Sequence, residues 1–301
     1  TPNRRKQFVN LALTVLEITA PVFILGMIGF VWVKMGFEYR VEFVTRLAMT
    51  ISVPCLIFVA LMQTEIDPNA LTLLSLATVA AYGAVTLLCW GLVAIGKLDR
   101  RTYLAPLIMG NTGNLGLPLC LFAFGEAGFG YAVVVFAIMA IYSFTFGIWL
   151  VAGGGSPLKV LKEPIVAATI LGALFLWQGW ETPTFLTNAL GLVGDMAIPI
   201  MLITLGVAVA RLTPAHLPLS IILSALKVVV CIGAAALIAR WFGLESTAAA
   251  VLIVQIATPV AVTSYLLAEK YGADADAVAG LVVASTVMSL ITIPLTLAFL
   301  V

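Results

Sequence analysis

Hydrophobic residues along this 301-residue chain come in long blocks rather than in alternation, separated by short polar or charged interruptions. Blocks of about 18 residues or more suit a helix crossing roughly 30 Å of hydrocarbon, whereas barrel strands would be about 10 residues of alternating polarity. The pattern predicts ten helical spans, at 14–36, 41–62, 70–96, 102–124, 128–152, 164–180, 185–210, 217–242, 246–270 and 275–301.

Two of these blocks are interrupted from within. The fourth contains Gly110-Asn111-Thr112-Gly113-Asn114-Leu115-Gly116-Leu117-Pro118, and the ninth contains Gln255-Ile256-Ala257-Thr258-Pro259 followed by Thr263 and Ser264. Breaking a helix at that depth frees backbone N–H and C=O groups that hydrocarbon cannot satisfy, so irregular chain survives only inside protein or beside a wet cavity. Each break also presents a half-helix N-terminus, with about half a positive charge and unpaired N–H groups. An anionic group can dock on such ends. Thr258 is suited to cap the second half-helix with Pro259 at its first position; Asn114 is suited to cap the first, whose opening turn would hold Pro118. The bland alternative is a pair of proline kinks with polar neighbours satisfying the freed carbonyls. Matched placement in two spans favours a site.

Composition agrees with an all-α membrane protein. The chain is 62% apolar and 10% charged, where a soluble domain would be about 25% charged, and its mean hydropathy is +1.16. Net charge is +1, and the basic residues lie in short loops rather than along a groove, so nucleic-acid binding is set aside. Cys55, Cys89, Cys120 and Cys231 fall inside apolar blocks without C-x-x-C spacing, which suggests packing and neither a disulfide framework nor a metal site. No cofactor or metal is expected. No P-loop motif is present, so direct drive by ATP is not expected either.

Gly153-Gly154-Gly155-Ser156-Pro157 reads as a linker near the middle, giving halves 1–152 and 164–301 joined by 153–163. Five spans per half is an odd number, so the halves enter the membrane from opposite faces, the arrangement of an inverted repeat in secondary carriers. A shift of 143 residues pairs Pro21 with Pro164 and Gly29 with Gly172; a shift of 145 pairs Pro54 with Pro199 and Asn114 with Pro259. Pro54 and Pro199 read chiefly as packing kinks in the bundle wall. Loops alternating with the N-terminus hold ten Lys and Arg: Lys34, Arg40, Arg46, Lys97, Arg100, Arg101, Lys159, Lys162, Arg211 and Lys270. The N-terminal side holds four, Arg4, Arg5, Lys6 and Arg240. Because cytoplasmic loops are enriched in these residues, both termini are expected outside and the linker inside, although the cluster near Thr1 argues the other way. The chain opens at Thr1 with no cleavable signal-peptide pattern.

Asp195 in the seventh span and Lys227 in the eighth are charges at membrane depth, which are costly and commonly paired or functional. They are candidates for an ion pair, acting either as a coupling switch or as a static bridge, or for two snorkelling side chains that never touch. Glu17 and Glu269 lie near span ends, and His216, the single histidine, sits in a short loop where solvent is expected. The six tryptophans fall toward span ends and read as interfacial anchors. Tyr131, Phe136 and Tyr142 are candidates for flanking a cavity.

These residues resemble the auxin efflux carrier family of membrane carriers, which includes the plant PIN proteins and bacterial relatives linked to malonate and similar acids. Asn111-Thr112 followed by Gly116-Leu117-Pro118-Leu119 is similar to the family's crossover motif in the fourth helix. Pro259, twelve residues before Tyr271, resembles the ninth helix and its exit. Val53-Pro54-Cys55-Leu56-Ile57-Phe58 and Ile293-Pro294-Leu295-Thr296 also fit. The resemblance implies two inverted five-helix repeats with discontinuous helices 4 and 9 crossing at the midplane of a moving transport domain, on a scaffold that is often dimeric. It implies that Asn111 contacts substrate and that Pro118 and Pro259 mark the crossing. It also implies residence in a bacterial inner membrane. Plant members carry a long hydrophilic loop between halves and charges in the third helix; here the connection is short and residues 70–96 hold no charge.

The expectation is a secondary carrier of small organic anions, auxin-like or dicarboxylate, with Asn111, Thr112, Asn114 and Pro118 on one side and Gln255, Thr258, Pro259 and Thr263 on the other. A proton or sodium ion is a candidate coupling partner. A cation–proton antiporter would want carboxylates at the break, where this chain has amides. An intramembrane hydrolase would need a nucleophile and base, or metal ligands, and none is evident. A receptor that binds without transporting is the remaining alternative.

Overall fold

The computed structural model describes residues 2–64, 66–153 and 164–300. It is 85% helical, with no strand among the described residues. Lys159, Lys162 and most of the expected linker lie outside the described residues, as do the side chains of Arg4, Arg5 and Lys6.

In chain order the helices are α1 (Pro2–Lys34), α2 (Val41–Leu47), α3 (Val53–Gln63), α4 (Pro68–Ile95), α5 (Arg100–Ile108), α6 (Leu117–Tyr142) and α7 (Ile148–Ala152). They continue as α8 (Pro164–Gln178), α9 (Thr184–Asp195), α10 (Ala197–Arg211), α11 (Leu217–Trp241), α12 (Ser246–Ile256), α13 (Val262–Tyr271) and α14 (Ala275–Leu300). Local chemistry sets several starts. Asp67 precedes Pro68 and accepts from Asn69 N at 3.0 Å; Asp99 accepts from Thr102 N at 3.0 Å and from its hydroxyl at 2.6 Å. Asp274 accepts from Ala277 N at 2.9 Å at the entrance to α14. Such caps satisfy N–H groups that the first turn leaves open.

Among the described residues seven helical stretches are long and apolar enough to cross a membrane. The stretch Thr112–Ala152 has 41 residues, about 60 Å if straight, twice a hydrocarbon thickness. It is not straight, because Gly125 (φ 64°, ψ −160°) breaks α6 in a backbone conformation that only glycine adopts readily. α8, α12 and α13 have 15, 11 and 10 residues. α12 and α13 are the halves of the expected ninth span, and α5 ends at the interruption of the fourth.

Packing follows membrane rules, in which small residues let backbones approach. α1 lies against α10, where a Cβ added to Gly29 would strike the Ile203 carbonyl and one added to Gly206 would strike that of Gly26. α3 lies against α8, where a Cβ on Gly172 would come 2.9 Å from Leu61 Cβ and 3.4 Å from Phe58 Cα. α11 packs against α14, α12 and α4. Large apolar side chains such as Leu87, Val229, Leu237 and Phe299 face outward, and all six tryptophans are exposed. The chain is an integral membrane protein.

Candidate functional site

Between α5 and the wide helical turn Thr112–Gly116 the backbone is non-helical at 109–111, with Met109 extended; between α12 and α13 it is irregular through 257–261. The two irregular stretches meet in one antiparallel bridge at Gly110 and Val260. Asn111 N donates to Pro259 O at 2.7 Å, and Ala261 N donates to Met109 O at 3.1 Å. Groups freed by one interruption are thus satisfied by the other, in a region without water to do it. Glycine permits the approach: a Cβ on Gly110 would collide with Thr258 Oγ1, and one on Gly116 with Gln255 Oε1.

The bridge displaces both expected caps. Keeping residues 259–261 available for pairing delays α13 until Val262, so Pro259 is not its first residue and Thr258 does not cap it. The Thr258 hydroxyl turns back to donate to Gln255 O at 2.6 Å. On the other strand Asn111, not Asn114, holds the N-cap position, and its side chain makes no capping bond. Asn114 lies inside the following turn, and Pro118 is buried in the first turn of α6.

The interruption at 257–261 is thoroughly bonded. Ser285 Oγ of α14 accepts from Val260 N at 2.9 Å, and Lys227 Nζ of α11 donates to Thr258 O at 2.9 Å. Asn111 O accepts from Leu115 N and Gly116 N at 3.1 and 3.2 Å. Side chains nearby are less well served: Asn111 Nδ2, Thr112 Oγ1, Gln255 Oε1 and Ser264 Oγ are buried without a hydrogen-bond partner. Gln255 Nε2 donates to Ala132 O at 3.3 Å.

A cavity of about 70 Å³ opens beside the bridge. Gly110, Asn111, Gly113 and Asn114 border it from one interrupted helix and Ala261, Val262, Thr263 and Leu266 from the other, so both half-helix N-termini face it. Phe136, Met139, Met201 and Met49 make its apolar wall, and among the described residues no ionisable side chain lines it. Of the expected residues, Asn111, Asn114 and Thr263 border the cavity; Thr112, Pro118, Gln255, Thr258 and Pro259 are buried around it. Tyr39 sits at one edge, sharing a 2.7 Å hydrogen bond with cavity-lining Thr204, and its burial raises the phenol above its ordinary pKa despite that bond.

Asp195 and Lys227 do not meet. Asp195 is exposed and borders a separate cleft of about 1040 Å³, together with Glu126, Gln63 and Asn188. Lys227 is 1% exposed and turned to the interrupted helix. Among the described residues the ion pairs are two surface ones, Arg40 with Glu38 and Arg46 with Glu42. Of the three aromatic candidates only Phe136 lines the cavity. Tyr131 donates to Glu245 Oε1 and Tyr142 pairs with Thr86, each at 2.7 Å. Sequence reading did not single out Ser285, Thr204 or Tyr39. A serine or threonine in an apolar block most often bonds its own helix, as Thr78 and Thr296 do here, so no distinguishing signal was available.

The chain is 24% identical over 296 residues to an uncharacterized transporter of Methanothermobacter thermautotrophicus, covering 93% of this chain and 96% of that one. It is 26% identical over 204 residues to an uncharacterized transporter of Methanocaldococcus jannaschii, covering 62% and 64%. The model of the family described as membrane transport protein matches residues 14–163 and 153–297. With nearly the whole chain matched, the protein belongs to this auxin efflux carrier family and is a membrane transporter, not an enzyme.

Proposed function

We infer that this transporter is a secondary carrier of small organic anions, working by alternating access with a carboxylate held where the interrupted fourth and ninth helices cross. The observation that carries the reading is a set of buried donors with nothing to donate to. Asn111 Nδ2 and Thr112 Oγ1 lack partners next to a cavity bordered by two half-helix N-termini and by no carboxylate. Buried polar groups are ordinarily satisfied, so such a set fits a ligand that supplies the acceptors. N-terminal dipoles attract negative charge without a fixed cation on the cavity wall. A weakly charged wall suits release on the far side.

The same reading takes the chain as ten crossings in two inverted halves, 1–152 and 164–301, with the 153–163 connection and the basic loops cytoplasmic. Pairing of glycine contacts supports it. Gly29 of the first half packs on Ile203 of the second, and Gly172 of the second packs on Phe58 of the first. Shifts of 143 and 145 residues carry Gly29 to Gly172 and Phe58 to Ile203, so each contact is the other's image. A cation–proton antiporter would instead want carboxylates at the bridge, and those near a cavity, Asp195 and Glu126, line the separate cleft.

Uptake by proteoliposomes tests the reading. Asn111→Ala should reduce uptake and counterflow of a transported carboxylate at least about tenfold, the scale of one hydrogen bond to a charged group. Unchanged uptake refutes the site, and ligand binding without counterflow refutes transport by this route.

A further inference from the structure

Lys227 is buried midway along α11 without an acidic partner among the described residues. The titratable groups facing it are Cys231 on its own helix, 3.8 Å from Nζ, and Cys89 of α4; Tyr82 of α4 lies close to Cys231. None of these is a carboxylate. A cation at membrane depth is costly and is commonly paired with an opposite charge or with backbone carbonyls. Its one short bond is to Thr258 O, which lies 3.5 Å from the Cβ position of Gly110 on the cavity edge. The charge therefore stands just behind the wall on which the half-helix ends converge, fastened to the same interrupted helix.

We propose that Lys227 is the electrostatic partner of the bound substrate, selecting singly charged anions and making the loaded transport domain neutral as it crosses. The proposal rests on the carboxylate-docking reading above. Because the Nζ bond ends on Thr258, the positive charge travels with the site. A monoanion cancels it, a dianion leaves one negative charge over, and an empty site leaves one positive charge exposed to the membrane field.

The test uses the full chain, purified and reconstituted in liposomes, with phenylacetate and phenylmalonate at neutral pH as probes of one and two charges. Lys227→Gln keeps a donor for Thr258 O and removes the charge; Lys227→Arg retains the charge. Phenylacetate should stabilise wild type and Lys227→Arg against thermal unfolding more than phenylmalonate does. It should bind Lys227→Gln roughly tenfold to fiftyfold more weakly, the scale of a Coulomb attraction across about 7 Å at an effective dielectric of about 20. Phenylacetate counterflow by wild type should ignore an imposed potassium diffusion potential, and counterflow by Lys227→Gln should respond to it. That response separates a charge role from a structural one. Unchanged affinity in Lys227→Gln, or potential-driven counterflow in wild type, overturns the proposal; if Lys227→Gln does not fold, the wild-type measurement alone decides. Weakened binding in Asn111→Ala alongside such a failure leaves the docking reading standing. If Asn111→Ala binds as wild type does, or wild type binds neither acid, both fall.

Discussion

The two interruptions are unequal partners. Around 257–261 the backbone groups are engaged from several directions, by Lys227, Ser285, Met109 and Asn111, and the unpartnered Gln255 Oε1 and Ser264 Oγ are acceptor or hydroxyl atoms flanking the stretch. Around 109–111 the backbone is satisfied through the opposite strand, while the Asn111 amide and the neighbouring Thr112 hydroxyl keep donors unspent. One stretch is braced and the other is receptive. An open donor at a buried site costs stability, of order 1–3 kcal/mol, and on the proposed reading its position next to a cavity is where stability gives way to binding.

Substitutions can break or sharpen that contrast. The largest effect is expected at the contact itself: Gly110→Leu forces a side chain into Thr258 Oγ1 and should cost about 3 kcal/mol or more, read as a large fall in melting temperature and loss of uptake. Next comes Asn111→Ala, which should suppress uptake about tenfold or more while leaving thermal stability nearly unchanged, since Nδ2 has no partner to lose. Ser285→Ala should do the reverse, destabilising by roughly 1–3 kcal/mol because Val260 N–H is left buried and unpaired. A larger stability loss at Asn111 than at Ser285 would abolish the distinction. The smallest change is expected from Tyr39→Phe, which removes the bond to Thr204 at the cavity rim and should cost about 1 kcal/mol or less. With its phenol raised above the ordinary value, Tyr39 stays neutral between pH 6 and 9, so the Tyr39→Phe effect on uptake should be flat across that range.

Much of this was legible in the chain. Clusters of Gly, Asn and Pro in the fourth block and of Gln, Thr and Pro in the ninth located both interruptions, because a concentration of helix breakers and polar side chains in an apolar block frees backbone groups that need protein partners. The expected turn between the fourth and fifth spans, residues 125–127, coincides with the non-helical Gly125. Cap positions were not legible, since local preference for Thr258 and Pro259 yields to a backbone bridge between residues about 150 apart in sequence. The Lys227 partner was missed for a related reason. Reading charges suggests the opposite charge, Asp195, but the acceptor is a main-chain carbonyl that every residue possesses and only a broken helix offers. Serine hydroxyls such as Ser285 carry no signal until a neighbouring N–H is seen to need one.

The antiparallel bridge has a mechanical consequence. Because Asn111 and Ala261 each lend a proton to the opposite strand, sliding one rod past the other would strand two amide protons in oil. The pair is therefore yoked: under the alternating-access reading proposed above, a shift that exposes the cavity would carry both rods as one rigid piston.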